Sequence, residues 1–442
     1  MTFNKGQQAA YNGFTKFADN PDATMFALFG AAGTGKSFTS GGLLEVMQPG
    51  GVDEFLWLAP TWKAVRIAGG FLADNGVHRP EIGYDAYFHQ MGNMILTTTQ
   101  QALGLRPVIE DDQTAEKVSF GKVGKGLIRK LSPKWIVIDE VSMLSWQNLG
   151  ALHDAAKEVG TKILIFGDPN QLPPVNAQEI KWDKIPNRFQ LTEIMRQSGD
   201  SAIPHFGQAI IDDEKWHGMT GTGLTHTKRA VSQFIDEATV PARNEADRDV
   251  FVGYRNSTVD RVQEAAAQKV YGHSATMFEP GEFVIAQSAL HDRSGMVVAN
   301  QDQLEVLSVD GIGRWGQYVR VRNTAGREVY TEYLSGAEMS DPSNPYRVEL
   351  DSRAKRAQML QKEWTSNRND YNLNSERKAA WASFFELKDR TVLNFAHPFA
   401  ITSHKSQGST YRRTFIAAME LAEFSKRSLY VAATRPREEL VY

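Results

Sequence analysis

The stretch "FGAAGTGKSF", Phe29–Phe38, follows the apolar run "MFALF" and leads into "KSFTSGGLLEVM". It fits the pattern G-x-x-x-x-G-K-[ST], with Gly30, Gly35, Lys36 and Ser37 in the required places. In such a loop the glycines let backbone N–H groups turn inward on phosphate, and the following helix adds its N-terminal dipole. Lys36 is placed to reach β- and γ-phosphates and Ser37 to bind Mg²⁺, with Gly33, Thr34 and Gly35 lining the same turn. The plain alternative is a glycine-rich turn with no ligand. An apolar strand before it and a helix after it supply the context that a phosphate loop needs. The loop implies ATP or GTP and leaves open what the triphosphate is spent on.

Working outward, "EFLWLAP" (54–60), "KWIVIDE" (134–140) and "KILIFGD" (162–168) read as further apolar strands, and "TWKAVRIAGGFLADNG" as a second helix. Continuous apolar strands alternating with helices predict a parallel sheet covered on both faces. The strand "WIVI" ends in Asp139 and Glu140. Beside a phosphate loop, such a pair supplies a Mg²⁺ ligand in Asp139 and a general base for water in Glu140. Far more chain separates Lys36 from Asp139 than one crossover needs, which predicts an insertion over 92–130. Within it, "EKVSFGKVGKG" has the look of a glycine-turned hairpin. Lys117 to Lys134 holds six basic residues and no acidic one, either a solvated face or a surface for a nucleic-acid strand.

A second α/β region is expected from about 191, with strands in "DVFVGYRN" (249–256) and "TFIAAME" (414–420). Between them "GEFVIAQ", "QLEVLSV", "QYVRVRN" and "REVYTEY" alternate and are separated by glycine-bearing turns, which predicts a small antiparallel barrel. The charged stretch 351–390 is helical in pattern; Trp364 and Trp381 within it read as core rather than as base-stacking residues.

The bulk properties set limits. The chain has 442 residues, room for roughly two to four domains. Its 41% hydrophobic and 23% charged residues are those of an ordinary globular protein. No apolar run approaches the roughly 18–20 residues of a membrane span, and "MTFNKGQQAAYNGF" lacks a signal pattern, so no membrane role is expected. There is no cysteine, which excludes disulfides and thiol chemistry and fits a cytoplasmic setting. The net charge of −3 means that any nucleic-acid grip must come from a local groove.

Taken in order, these motifs resemble superfamily 1 helicases. "LAPTWKAV" (58–65) is similar to the strand-lining motif after the second strand, "IFGDPNQLPPV" (165–175) to GD-x-x-QLPP, and "LTEIMRQ" (191–197) to the motif that follows. "FAITSHKSQGSTY" (399–411) resembles T-x-H-K-x-QG, and "LYVAATRPRE" (429–438) the last motif. The resemblance implies two RecA-like parallel-sheet P-loop domains, a hairpin in the first and a small SH3-like β-barrel in the second. The expected bounds are 1–190 for the first domain, 191–275 plus 391–442 for the second, and 276–390 for the insert.

It also implies roles. Gln171 would sense the γ-phosphate, Arg196 would contact it, Arg435 would act as arginine finger, Gln7 would read adenine, and Gly408 would lie against nucleotide. Pro60, Thr61, Lys63, His89, Phe120, Thr402, His404 and Lys405 would touch DNA. His89 and Phe120 also have plain readings, one as a structural histidine and the other as packing within a β-run. "LTEIMRQ" with "SHKSQG" resembles the RecD-like 5′→3′ branch, nearest to the Dda-type helicases of tailed phages. The implied activity is ATP- and Mg²⁺-dependent unwinding of forked DNA by a monomer moving on single strands. A single-strand-binding protein or replisome component is a possible partner, in replication, recombination or repair. A translocase that strips proteins or remodels RNA, and a clamp that binds ATP without hydrolysing it, remain open alternatives.

Overall fold

The computed structural model describes residues 3–47, 55–74, 89–91, 94–108, 119–122, 126–193, 201–292 and 295–442. The first sheet has seven strands: β1 (Met25–Gly30), β2 (Phe55–Ala59), β3 (His89–Met91), β4 (Met94–Thr98), β7 (Trp135–Ile138), β8 (Lys162–Gly167) and β9 (Asn187–Leu191). The order is β3-β4-β2-β7-β8-β1-β9. All pairings are parallel except that of β3 with β4. Successive side chains of a strand point to opposite faces. Phe26 and Leu28 accordingly join one buried cluster with Trp57, Val137 and Leu164, while Ala27 and Phe29 join another with Leu58, Ile138 and Ile165. Both faces are dry, which is why these strands read as unbroken apolar runs.

The expected insertion is narrower than 92–130. Met94–Thr98 is a strand of the central sheet, paired along its length with β2. The threonine-rich "MILTT" lacks the apolar continuity of its neighbours, and β-branched threonine fits a strand all the same. The hairpin proper is β5 (Leu105–Val108) with β6 (Ser119–Lys122), antiparallel, and Phe120 lies opposite Pro107.

A second sheet is wholly parallel, in the order Leu224–Thr225, Pro436–Val441, Tyr411–Ile416, Asp249–Gly253, Ala400–Thr402. Between Gly253 and Ala400 the chain leaves it and forms a six-stranded sheet from Phe283–Ala286, Gln303–Ile312, Gln317–Asn323, Glu328–Tyr333, Val392–Leu393 and Phe395–Ala396. Its two edge strands are the last two, separated only by Asn394, so the sheet rolls round on itself around Val284, Leu304, Val306, Val319 and Phe395. These edge strands lie beyond the boundary expected at 390. The helices Pro345–Ser366 and Tyr371–Arg390 pack against each other beside the barrel. Trp381 packs with Phe384 there, as expected of a core residue, and Trp364 lies beneath the Arg377 guanidinium at 4.4 Å. Among the described residues no helix is long and apolar enough to cross a membrane.

Candidate nucleotide and nucleic-acid site

Parallel strands place all their carboxyl ends on one edge, and ligands of open α/β sheets collect there. β7, β8 and β1 are neighbours, so Asp139, Asp168 and the phosphate loop meet at one crevice. Gly33 and Gly35 have φ of 85° and 80°, where a side chain would be strained. Gly30 is forced by contact as well, because a Cβ there would lie 2.4 Å from the Leu191 carbonyl oxygen.

Lys36 is turned onto its own loop, with Nζ donating to the Gly30 carbonyl at 2.7 Å and the Ala31 carbonyl at 3.0 Å. Burial lowers its pKa against the pull of Asp168, Glu140 and Asp139. Thr34 is buried, and its hydroxyl donates to the Ala31 carbonyl. The side chain of Ser37, at the start of the helix Lys36–Met47, lies outside the described residues.

Burial dominates the electrostatics of the acidic pair. Asp139 accepts the Glu140 N–H at 2.8 Å, yet burial still raises its pKa. Burial and the adjacent Asp139 push Glu140 up to about 7. Glu140 also has φ 49°, a left-handed conformation rare for a residue with a side chain and a form of strain that clusters at functional sites. Gln171 is buried, and its amide oxygen has no hydrogen-bond partner among the described residues. A nucleotide with Mg²⁺ fits this donor set, since a hard cation takes oxygen ligands and leaves such an amide a partner to find. Among the described residues no group of three or more His, Cys, Asp or Glu could hold a metal alone.

The second sheet brings its own residues to the same crevice. Arg435 is 6% exposed, and its charge is felt at both Lys36 and Glu140. Its guanidinium donates to the Val431 and Ser409 carbonyls and to the Thr434 hydroxyl. Gly408 has φ 74°, and a Cβ there would lie 3.9 Å from a Glu140 carboxylate oxygen. Gln407 donates to the Leu172 carbonyl, and Leu172 is itself buried in the core of the second domain. The Tyr430 hydroxyl donates to Asp168 at 2.7 Å and accepts the Ala32 N–H at 2.8 Å. Sequence reading passed over Tyr430 because an aromatic in "LYVAATR" looks like core and its partners lie hundreds of positions away.

Two of the expected site residues have partners within the chain. Gln7 is 1% exposed, and its side-chain oxygen accepts the Asn4 N–H in a capping box on the helix Lys5–Asp19, so it closes a helix end instead of facing open space. Lys63 is 8% exposed and paired with Glu245 of the second domain at 2.7 Å, so its ammonium is engaged. Thr61 accepts the Ala64 N–H at the start of the helix Trp62–Asp74 and remains exposed beside Pro60. Thr402 is buried; His404 and Lys405 are exposed, with Lys405 donating to Gln287 of the barrel at 2.6 Å. His89 and Phe120 lie in described strands, but their side chains are outside the described residues, as is all of Arg196.

Comparison with known proteins accords with this arrangement. Residues 2–221 match the family described as an AAA domain, and residues 397–441 the family described as a UvrD-like helicase C-terminal domain. Two solved structures are similar over the whole chain. Bacteroides Pif1 bound to ssDNA has a TM-score of 0.50 and 17% identity, covering 100% of this chain and 92% of that one. The Pif1 helicase of Candida albicans also has a TM-score of 0.50, with 14% identity, covering 100% and 94%. At that identity the likeness is one of fold. A protein of Acanthamoeba polyphaga mimivirus, "Uncharacterized protein R530", is 30% identical over 204 residues, 44% of this chain and 39% of that protein's length. The molecule is thus a P-loop protein of two parallel-sheet domains with a helicase fold.

Proposed function

We propose that this chain is an ATP-driven motor that moves 5′→3′ on single-stranded DNA and unwinds duplex at a fork. The observation that carries the reading is the shared crevice: Lys36, Asp139 and Glu140 on one domain, with Arg435 and Gly408 of the other brought against them. When bound at Asp139 and Ser37, Mg²⁺ supplies charge neutralisation for phosphoryl transfer. Glu140, held near neutrality, takes the proton from attacking water. Lys36 exchanges its loop carbonyls for β- and γ-phosphate oxygens, and Arg435 stabilises the developing charge from the opposite wall. Arg196 is the further γ-phosphate contact in this reading. Hydrolysis then depends on closure of the cleft, and loss of the γ-phosphate reopens it.

The grip on the strand is to backbone, since a motor cannot prefer a sequence. Pro60, Thr61, Lys63, Thr402, His404 and Lys405 line the track, with His89 beside it and Phe120 as the separating tip. Unpairing costs about 1.4 kcal/mol per base-pair step, within the reach of one ATP. The RecD-like, Dda-like polarity is supported by "LTEIMRQ" and "SHKSQG". The same reading makes the active unit a cytoplasmic monomer in replication, recombination or repair, with a single-strand-binding protein or replisome component as partner.

The test is unwinding of DNA forks bearing a 5′ or a 3′ tail, with phosphate release read alongside. The 5′-tailed fork is expected to open and Lys36→Ala to abolish both signals. Unwinding from the 3′ tail alone overturns the polarity, and full DNA-stimulated turnover in Lys36→Ala overturns the ATPase site. Stripping of bound protein with no unwinding favours the translocase alternative. Phe120→Ala is expected to keep translocation and lose unwinding; equal loss of both removes the wedge role.

A further inference from the structure

Asp168 is 0% exposed and receives the Asn170 N–H on one oxygen at 3.0 Å. The other oxygen takes the Tyr430 hydroxyl, which at the same time receives the Ala32 N–H of the phosphate loop. One phenol from the second domain thereby joins two elements of the first domain's nucleotide site. Its two bonds are geometrically independent: one is donated to a carboxylate after β8, the other accepted from the loop after β1.

Tyr430 is mechanically tied to Arg435. It lies on the helix Lys426–Ala433, and its carbonyl accepts the Thr434 hydroxyl at 3.0 Å, while Thr434 in turn accepts from the Arg435 guanidinium at 3.0 Å. Arg435 also donates back to Val431 at 2.9 Å. The helix Ile203–Ile211 braces the same segment through Gly207, where a Cβ would stand 3.3 Å from Thr434. A displacement of the Tyr430 hydroxyl is therefore passed on to the guanidinium.

We propose that Tyr430 is a positioning residue for turnover: its hydroxyl docks the second domain on the phosphate loop and Asp168, and so sets Arg435 toward the acidic pair. The assignment rests on the ATPase reading above. Tyr430→Phe removes both bonds and keeps the ring in the core. Loss of a hydrogen bond to a buried carboxylate is worth about a tenfold change or more. The expected result is a fall of about tenfold in DNA-stimulated kcat, with binding of a non-hydrolysable ATP analogue nearly unchanged.

The discriminating measurement is a double-mutant cycle with Arg435→Lys, which keeps a cation. If Tyr430 acts through Arg435, Tyr430→Phe has little further effect on kcat in the Arg435→Lys background. Additive losses, or a parallel loss of analogue binding, make Tyr430 merely structural and overturn the proposal. A wild-type chain that releases no phosphate with single-stranded DNA overturns the ATPase reading and this one together. Normal turnover in Tyr430→Phe, with an active wild type, overturns this one alone.

Discussion

The two walls of the nucleotide crevice are built on opposite plans. On the first, every functional group follows directly from a buried strand: Lys36 after β1, Asp139 and Glu140 after β7, Asp168 after β8. That wall is chemically rich and gathers three carboxylates, and burial raises Glu140 and Asp139 above their ordinary values. On the second wall, Arg435 is held by carbonyls and a hydroxyl of its own segment, and it meets the first wall through Tyr430 and Gln407. In the function proposed above, the first wall would hold the substrate and the proton acceptor, and the second would bring Arg435 to them. A motor needs that asymmetry, because chemistry confined to one wall would run regardless of domain position.

The most direct way to break this comparison is to remove the charge of the second wall. Arg435→Ala is expected to retain nucleotide binding and to lower turnover on the order of 10³-fold or more. Single-turnover phosphate release beside an analogue-binding titration reads both. A large loss of affinity with normal turnover would mean that the second wall binds and does not catalyse.

The next largest effect concerns the wall that carries the carboxylates. Glu140→Gln is expected to cut turnover by about 10²–10⁴, as for a general base, and also to stabilise the fold at alkaline pH. Glu140 titrates near 7 in the folded chain against an ordinary 4.5. The folded chain thus binds more protons than the unfolded one across that window, and stability falls as pH rises through it. Replacing the carboxylate removes this penalty, worth at most about 3 kcal/mol above pH 7. Thermal midpoints of the two proteins should diverge between pH 4.5 and 7 and coincide below it; a gap independent of pH would sink the account.

The same asymmetry governed what the sequence could disclose. The first wall is local: a strand, a glycine turn and a charged residue within a few positions, so the phosphate loop and the acidic pair were readable residue by residue. The barrel was readable too, because half-buried antiparallel strands such as Gln317–Asn323 alternate with period two. Met94–Thr98 was not, since its threonines blur the apolar signal, and Leu224–Thr225 and Ala400–Thr402 are too short to carry any pattern. Tyr430 on Asp168 and Lys63 on Glu245 are pairings across domains that no local pattern encodes. The capping box at Gln7 was not legible beside its other reading, because the signal of a nucleotide-reading glutamine and that of a capping box coincide at one position.

The smallest expected effect tests where the walls give way to the strand track. Lys63 sits in the stretch that resembles a strand-contacting motif, yet its ammonium is held by Glu245, whose side chain is 32% exposed. Burial lowers the lysine pKa, so a nearby anion is needed to keep it charged. Glu245 and a DNA phosphate are competing anions for one cation. With Glu245 partly in solvent, the pair is worth only about 1 kcal/mol, an amount that a phosphate contact can match. Glu245→Ala is therefore expected to tighten single-strand binding a few-fold and to steepen its salt dependence by about one counterion. Lys63→Ala should shift both quantities the other way. Should Glu245→Ala leave affinity and salt slope untouched while loosening the domains, Lys63 is a strut of the closed cleft and the strand is gripped by Thr61 and Lys405 without it.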